Sequence, residues 1–159
     1  MTDDDYDHHS FVMPDPFGGR ASLHLEGSFR RGGTMQLDVD GRAVDFIPLP
    51  RTQWAALALL EQSVLKSSTI GWFFTSDQLA TALARRHVIE LNDPQIAIRI
   101  MYRLRKSLNE SSAADLFSTS GTNSPQDSFA TRLIRTWKVR GYRISLPASR
   151  VALELSDED

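Results

Sequence analysis

The sequence contains no cysteine, which excludes disulfides, cysteine-based zinc sites and catalysis by a thiol. No apolar run approaches the ~18 residues that a membrane-spanning helix needs, so no membrane partner is expected. The acidic start, MTDDDYDHHS, lacks the apolar segment of a secretory signal. These absences together predict a cytoplasmic protein.

The patterns that carry catalysis are also absent from the sequence. His8 and His9 adjoin each other in a polar segment, and His24 and His87 stand alone, so no metal-ligand spacing is formed. No glycine-rich phosphate loop precedes a helix, and no catalytic triad can be recognised. We therefore expect no enzymatic activity, no metal and no cofactor.

Basic residues are missing from both ends of the chain. Residues 1–15 hold five acids and residues 154–159 hold four, whereas the remainder has eleven acids against eighteen bases, a formal charge of +7. Residues 94–150 alone contain ten bases and three acids, again +7. Fifteen of the eighteen bases are arginine, which suits bidentate contacts to phosphate or guanine. A solvated basic face would also explain this charge, but a nucleic-acid surface is the sharper hypothesis.

The composition predicts one domain between two acidic ends. Residues 1–19 are acidic and then rich in Pro and Gly, which predicts a disordered arm, and residues 150–159 are predicted to be an acidic tail. The domain itself would span residues 20–149. Within it, residues 109–131 are mostly small and polar, which predicts a long flexible loop.

Apolar periodicity predicts an α+β fold. Alternation between residues 21 and 47, interrupted by the turn signal Asp40-Gly41, predicts an antiparallel sheet of three or four strands. Three helices follow, over RTQWAALALLEQSVLK, over SDQLATALARR after a capping box at Thr75, and from Asp93-Pro94 through QIAIRIMYRLRKSL. The alternating stretch LIRTWKVRGYRISL predicts a basic C-terminal β-hairpin.

The third predicted helix is apolar on one side and polar to basic on the other. The apolar stripe comprises Ala97, Met101, Leu104 and Leu108, and the polar stripe comprises Gln95, Arg99, Tyr102, Arg103 and Lys106. A helix fits the major groove, where Arg pairs with guanine and Gln with adenine. Basic hairpin residues beside it would reach phosphates or the minor groove.

Three segments resemble the OmpR-type winged helix-turn-helix DNA-binding domain. They are LPRTQWAALALL at residues 49–60, RLRKSL at residues 103–108 and IRTWKVRGYRI at residues 134–144. The first retains Leu49, Trp54, Leu57 and Leu60 of that family's pattern, and the last retains the Gly141-Tyr142-Arg143 ending of its wing. The hairpin has one glycine fewer than the family's wing, and Ile96, Ile98 and Ile100 stand where the family often has polar residues.

The resemblance implies a standalone regulator of transcription, without a receiver domain, that binds double-stranded DNA. Gln95, Arg99, Tyr102 and Arg103 would face the bases, and Lys106, Arg135, Lys138 and Arg140 would mainly contact phosphate. Tyr142 has two interpretations, a core ring or a phosphate donor, of which the core is favoured.

The competing hypothesis is an adaptor whose winged helix binds a protein, for example the transcription machinery. RNA polymerase or another transcription protein is also a candidate partner of the regulator. The sequence leaves open whether the protein acts as a monomer or as a homodimer.

Overall fold

A computed structural model describes residues 15–66, 73–117, 128–137 and 141–156 of the chain. The strands are β1 (Ala21–Ser28), β2 (Gly32–Val39), β3 (Arg42–Leu49), β4 (Ile134–Trp137), β5 (Gly141–Ile144) and β6 (Val151–Leu155). The helices are α1 (Arg51–Lys66), α2 (Ser76–Arg85), α3 (Pro94–Asn109), α4 (Ser112–Leu116) and α5 (Phe129–Leu133), and a 3-10 turn spans Ala148–Arg150. The predicted α+β class, with an N-terminal sheet and a C-terminal hairpin, is confirmed.

The larger sheet has four strands in the order β3-β2-β1-β6. The β1–β2 and β2–β3 pairs are antiparallel, as the alternation predicts. Asp40 and Gly41 form the two-residue turn between β2 and β3 with positive φ angles of 54° and 81°, a conformation that Gly and Asp tolerate better than most residues. One face of β1 and β2 is buried through Leu23, Leu25, Met35, Leu37 and Val39.

Strand β6 corrects the prediction of an acidic tail from residue 150. It pairs in parallel with β1, with Val151 opposite Leu23 and Leu153 opposite Leu25. These pairs place Val151 and Leu153 on the inner face of the sheet. Glu154 lies on the outer face, where its Oε1 is 3.3 Å from Nε2 of His24. The last three residues of the predicted tail, 157–159, lie outside the described part.

Two short helices correct the prediction of one flexible loop at 109–131. Ser111 caps α4 by accepting from the amide of Ala114, and Ser128 caps α5 by accepting from the amide of Thr131. The rings of Phe117 and Phe129 stack with their centroids 6.0 Å apart. Residues 118–127 of the predicted loop lie outside the described part.

Phe17 corrects the C-terminal boundary of the predicted arm. Its ring is 3% exposed and lies 4.9 Å from the ring of Phe117 and 5.3 Å from that of Phe129. Asp15 accepts from the amides of Phe17 and Gly19 and thereby closes a turn before β1. Residues 15–19 therefore belong to the folded domain, and residues 1–14 lie outside the described part.

Helix α1 lies against the inner face of the sheet and forms the centre of the core. Trp54 is fully buried, and its indole N–H donates to the carbonyl oxygen of Thr34 at 3.3 Å. Glu61 of the same helix is also fully buried, and neither of its carboxylate oxygens has a hydrogen-bond partner among the described residues. Burial raises the pKa of this carboxyl well above its ordinary value because the charged form is desolvated.

Candidate nucleic-acid interface

Helix α3 begins and ends where the sequence predicts. The Asp93 side chain accepts from the amide of Gln95 at 2.9 Å, and Pro94 occupies the first turn, where its missing N–H leaves no helix bond unmade. Five apolar residues of α3 are buried against α1, α2 and α5, namely Ala97, Ile100, Met101, Leu104 and Leu108. The predicted apolar stripe is thus confirmed, and Ile100 joins it.

The opposite side of α3 is open to solvent. All five residues of the predicted polar stripe are exposed: Gln95, Arg99, Tyr102, Arg103 and Lys106. At about 100° per residue they occupy an arc of about 100°, whose centre lies nearly opposite the buried stripe. Tyr102 is the most exposed large apolar side chain of α3, at 71%. Three of the four bases of α3 lie in this arc and the helix contains no acid, so the arc is positively charged.

The connection between α2 and α3 is held from several sides. The guanidinium of Arg51 donates to the carbonyl oxygens of Phe29, at 2.8 Å, and His87, at 2.9 Å. Arg86 stacks on the ring of Phe29, with its guanidinium carbon 4.0 Å from the ring centroid. Thr81 and Asn92 are also joined by side-chain hydrogen bonds. These contacts fix the start of α3 relative to α1 and α2.

The β4–β5 hairpin is anchored by apolar residues at its base. Ile134 pairs with Ile144, and both are fully buried. Tyr142 is 8% exposed, which confirms that its ring belongs to the core. Arg135 is exposed on β4, whereas Arg143 opposite it is half-buried near the ring of Phe73 at 5.8 Å. Lys138 and Arg140, which the sequence assigns to phosphate contacts, lie outside the described residues.

A backbone bridge ties the hairpin to the chain that enters α2. The amide of Phe74 donates to the carbonyl oxygen of Tyr142 at 2.9 Å, and the amide of Tyr142 donates to the carbonyl oxygen of Phe74 at 2.8 Å. Gly141 makes this approach feasible because its φ is +97°, and an added Cβ would overlap the Phe74 carbonyl and lie 2.6 Å from the Cα of Thr75. The hairpin therefore has a defined position beside α2 and α3.

Arg105 is the site residue that sequence reasoning missed. It lies between Arg103 and Lys106 in the chain, but its guanidinium turns toward the hairpin and donates to the carbonyl oxygen of Ile134 at 2.8 Å. It also donates to the Thr136 hydroxyl and lies 5.3 Å from the centroid of the Tyr142 ring. Burial lowers the pKa of Arg105, although an arginine remains charged in proteins. The helical period could have separated Arg105 from the polar stripe, but it could not have named partners about thirty residues away.

Comparisons of the chain with protein-family models, with curated proteins and with solved structures found no match. Within the described ranges, no helix combines the length and apolar character needed to cross a membrane.

Proposed function

We propose that the protein is a winged helix-turn-helix regulator of transcription that binds double-stranded DNA, with α3 in the major groove and the hairpin on the adjoining backbone or minor groove. The observation that carries the proposal is the exposed polar and basic arc of α3, which the buried stripe supports from behind. Helices α1, α2 and α3 together with the β4–β5 hairpin supply the parts of such a domain.

The dimensions of α3 suit the major groove. Its 16 residues make it about 24 Å long, and a helix with side chains is about 10–12 Å wide. The major groove of B-DNA is about 12 Å wide and presents a distinct pattern of donors and acceptors for each base pair. A helix of this size can therefore bring several side chains of one arc to base edges.

The side chains of the arc and of the hairpin suit two kinds of DNA contact, with base edges and with backbone phosphates. Arg99 and Arg103 can donate two hydrogen bonds to guanine, and the Gln95 amide can both donate to and accept from adenine. Lys106, near the C-terminal end of α3, and Arg135, on β4 of the hairpin, are both exposed and suit backbone phosphates, which fix the register but carry no sequence information. The same proposal gives Lys138 and Arg140 the phosphate contacts nearest the hairpin tip.

The experiment that tests sequence-specific binding is a selection of bound duplexes from a random pool, repeated with Arg103→Ala. We expect wild-type protein to enrich one sequence pattern, and Arg103→Ala to lose about 1–3 kcal/mol on the best site and to relax the choice at one base pair. Arg42→Ala is the matched control because Arg42 is an equally charged, exposed residue of the N-terminal sheet, outside α3 and the hairpin.

Two outcomes would contradict parts of the proposal. Equal weakening of Arg103→Ala on every duplex would make this residue a phosphate contact rather than a base reader. Failure of the wild-type protein to enrich any pattern would remove sequence specificity. Where a pattern is enriched, its length distinguishes a monomer from a homodimer, since a homodimer covers two half-sites about 34–36 Å apart.

The adaptor remains the second candidate function, and two exposed apolar side chains favour it. Ile98 of α3 is 39% exposed and Leu91, in the connection before α3, is 67% exposed. An adaptor of this kind would bind RNA polymerase or another transcription protein through these residues. Retention on heparin and on duplex DNA discriminates the two functions, because the adaptor needs neither. A cytoplasmic location belongs to both proposals.

A further inference from the structure

Arg105 is placed where α3 meets both strands of the hairpin. Its Nη2 donates to the carbonyl oxygen of Ile134 and to the hydroxyl of Thr136, both on β4. Its guanidinium also faces the ring of Tyr142 on β5, and Tyr142 pairs directly with Thr136 across the hairpin. The Arg105 side chain thus contacts both members of one cross-strand pair, Thr136 and Tyr142.

The direction of Arg105 separates it from the residues proposed to bind DNA. At about 100° per residue, its side chain leaves α3 about 60° from Tyr102 and about 100° from Lys106. Arg103, Tyr102 and Lys106 are all exposed, whereas Arg105 is only partly exposed. Its Nη2 and the face of its guanidinium contact the hairpin, whereas its Nε is buried without a hydrogen-bond partner among the described residues.

A two-stranded hairpin needs such contacts because it is at best marginally stable by itself in water. The bridge to Phe74 fixes β5 beside the chain entering α2. Arg105 fixes β4 to the C-terminal half of α3, and a guanidinium is suited to this because it is planar, has several donors in a fixed geometry and stacks on aromatic rings.

We propose that Arg105 is a positioning residue that braces the hairpin against α3 and so places the hairpin strands on the same duplex as the helix. This inference rests on the proposed DNA binding. Its specific content is that Arg105 acts through the basic residues of the hairpin, of which the exposed Arg135 lies between its two partners Ile134 and Thr136, and does not itself contact phosphate.

The test is a set of combined substitutions, with binding to one duplex measured over a range of salt concentrations. Arg105→Lys keeps the positive charge but loses the planar guanidinium. Arg105→Met keeps an apolar side chain of similar length but loses both the charge and the guanidinium. The hairpin variant for comparison replaces Arg135, Lys138 and Arg140 by alanine. We expect each Arg105 variant to reduce the salt slope by about 1–2 and to cause no further loss of affinity when it is combined with the hairpin variant. Lys106→Met is the matched control, because Lys106 is proposed to contact phosphate directly, so that its loss of affinity should multiply with that of the hairpin variant.

Wild-type affinity and salt slope in Arg105→Lys would overturn the brace. Losses of affinity in either Arg105 variant that multiply with those of the hairpin variant would also overturn it. Hydrogen exchange supplies a readout that needs no DNA. The brace predicts faster exchange of amides in β4 and β5 of Arg105→Lys, with β1 and β2 unchanged, and unchanged exchange in the hairpin would contradict it. If wild-type protein binds no duplex but hairpin exchange rises, the DNA proposal fails while the contact between Arg105 and the hairpin stands.

Discussion

Replacing Glu61 by methionine should stabilise the protein at neutral pH. The carboxyl of Glu61 is fully buried in α1 without a hydrogen-bond partner among the described residues. A buried polar group without a partner costs about 1–3 kcal/mol, and methionine has a similar length and a similar helix propensity. For a domain of this size, that gain corresponds to a rise in Tm of about 2–12 °C.

The stabilisation by Glu61→Met should increase with pH. Burial raises the pKa of Glu61 in the folded state above the ordinary value of 4.5, so the folded state holds this proton more tightly than the unfolded state does. The resulting contribution to stability is fully present below the unfolded pKa and is lost as pH rises through the folded pKa. The advantage of Glu61→Met over wild type should therefore grow as pH is raised above 4.5.

Thermal unfolding of wild type, Glu61→Met and Glu61→Gln at several pH values between 5 and 8 is the assay. Glu61→Gln is the matched control, because it keeps a buried polar group but removes the ionisation. Each variant should differ from wild type by an amount that increases with pH, and Glu61→Met should exceed Glu61→Gln. A pH-independent difference, or a lower Tm for Glu61→Met at pH 8, would refute the assignment of an unpartnered buried carboxyl.

Two further predictions concern the hairpin. Gly141→Ala should lower the free energy of unfolding by about 2–6 kcal/mol, because alanine is strained at this positive φ and the two hydrogen bonds with Phe74 are lost. Urea unfolding measures this loss. Wild-type stability of the variant would show that the bridge to Phe74 is not formed. Lys138→Ala with Arg140→Ala should shift the free energy of unfolding by no more than about 0.5 kcal/mol and reduce the salt slope of DNA binding by about 1–2. A lower Tm of the double variant would show that the two residues have a structural role. Unchanged DNA binding would show that they contact something other than DNA.

Elements with local signals were predictable from the sequence. The Asp40-Gly41 turn needs positive φ angles that few residues tolerate, and these two supply them. Thr75 and Gln78 form the predicted capping box at the start of α2. On α3 the helical period alone separated the buried stripe from the exposed arc, because both sides of a helix are determined by spacing.

Elements that depend on distant partners were not predictable. The acidic composition of residues 150–159 predicts a solvated tail rather than β6. Val151 and Leu153 are recognisable as strand residues only through their pairing with Leu23 and Leu25 of β1. The many serines of residues 109–131 predict a loop, although Ser111 and Ser128 are helix caps. Arg105 is of the residue type that contacts DNA, but its guanidinium binds the hairpin. No local sequence pattern distinguishes these two roles of an arginine.

The measurement that tests the central claim most directly is the salt dependence of duplex binding, followed by fluorescence anisotropy. Under the proposal, the exposed bases of α3 and β4 and the two bases assigned to the hairpin would together neutralise several phosphates, each of which contributes about 0.9 to the slope. We expect the logarithm of the association constant to fall with the logarithm of salt concentration with a slope of roughly -4 to -7. Binding that is undetectable, or that does not change with salt, would contradict DNA recognition by α3 and the hairpin.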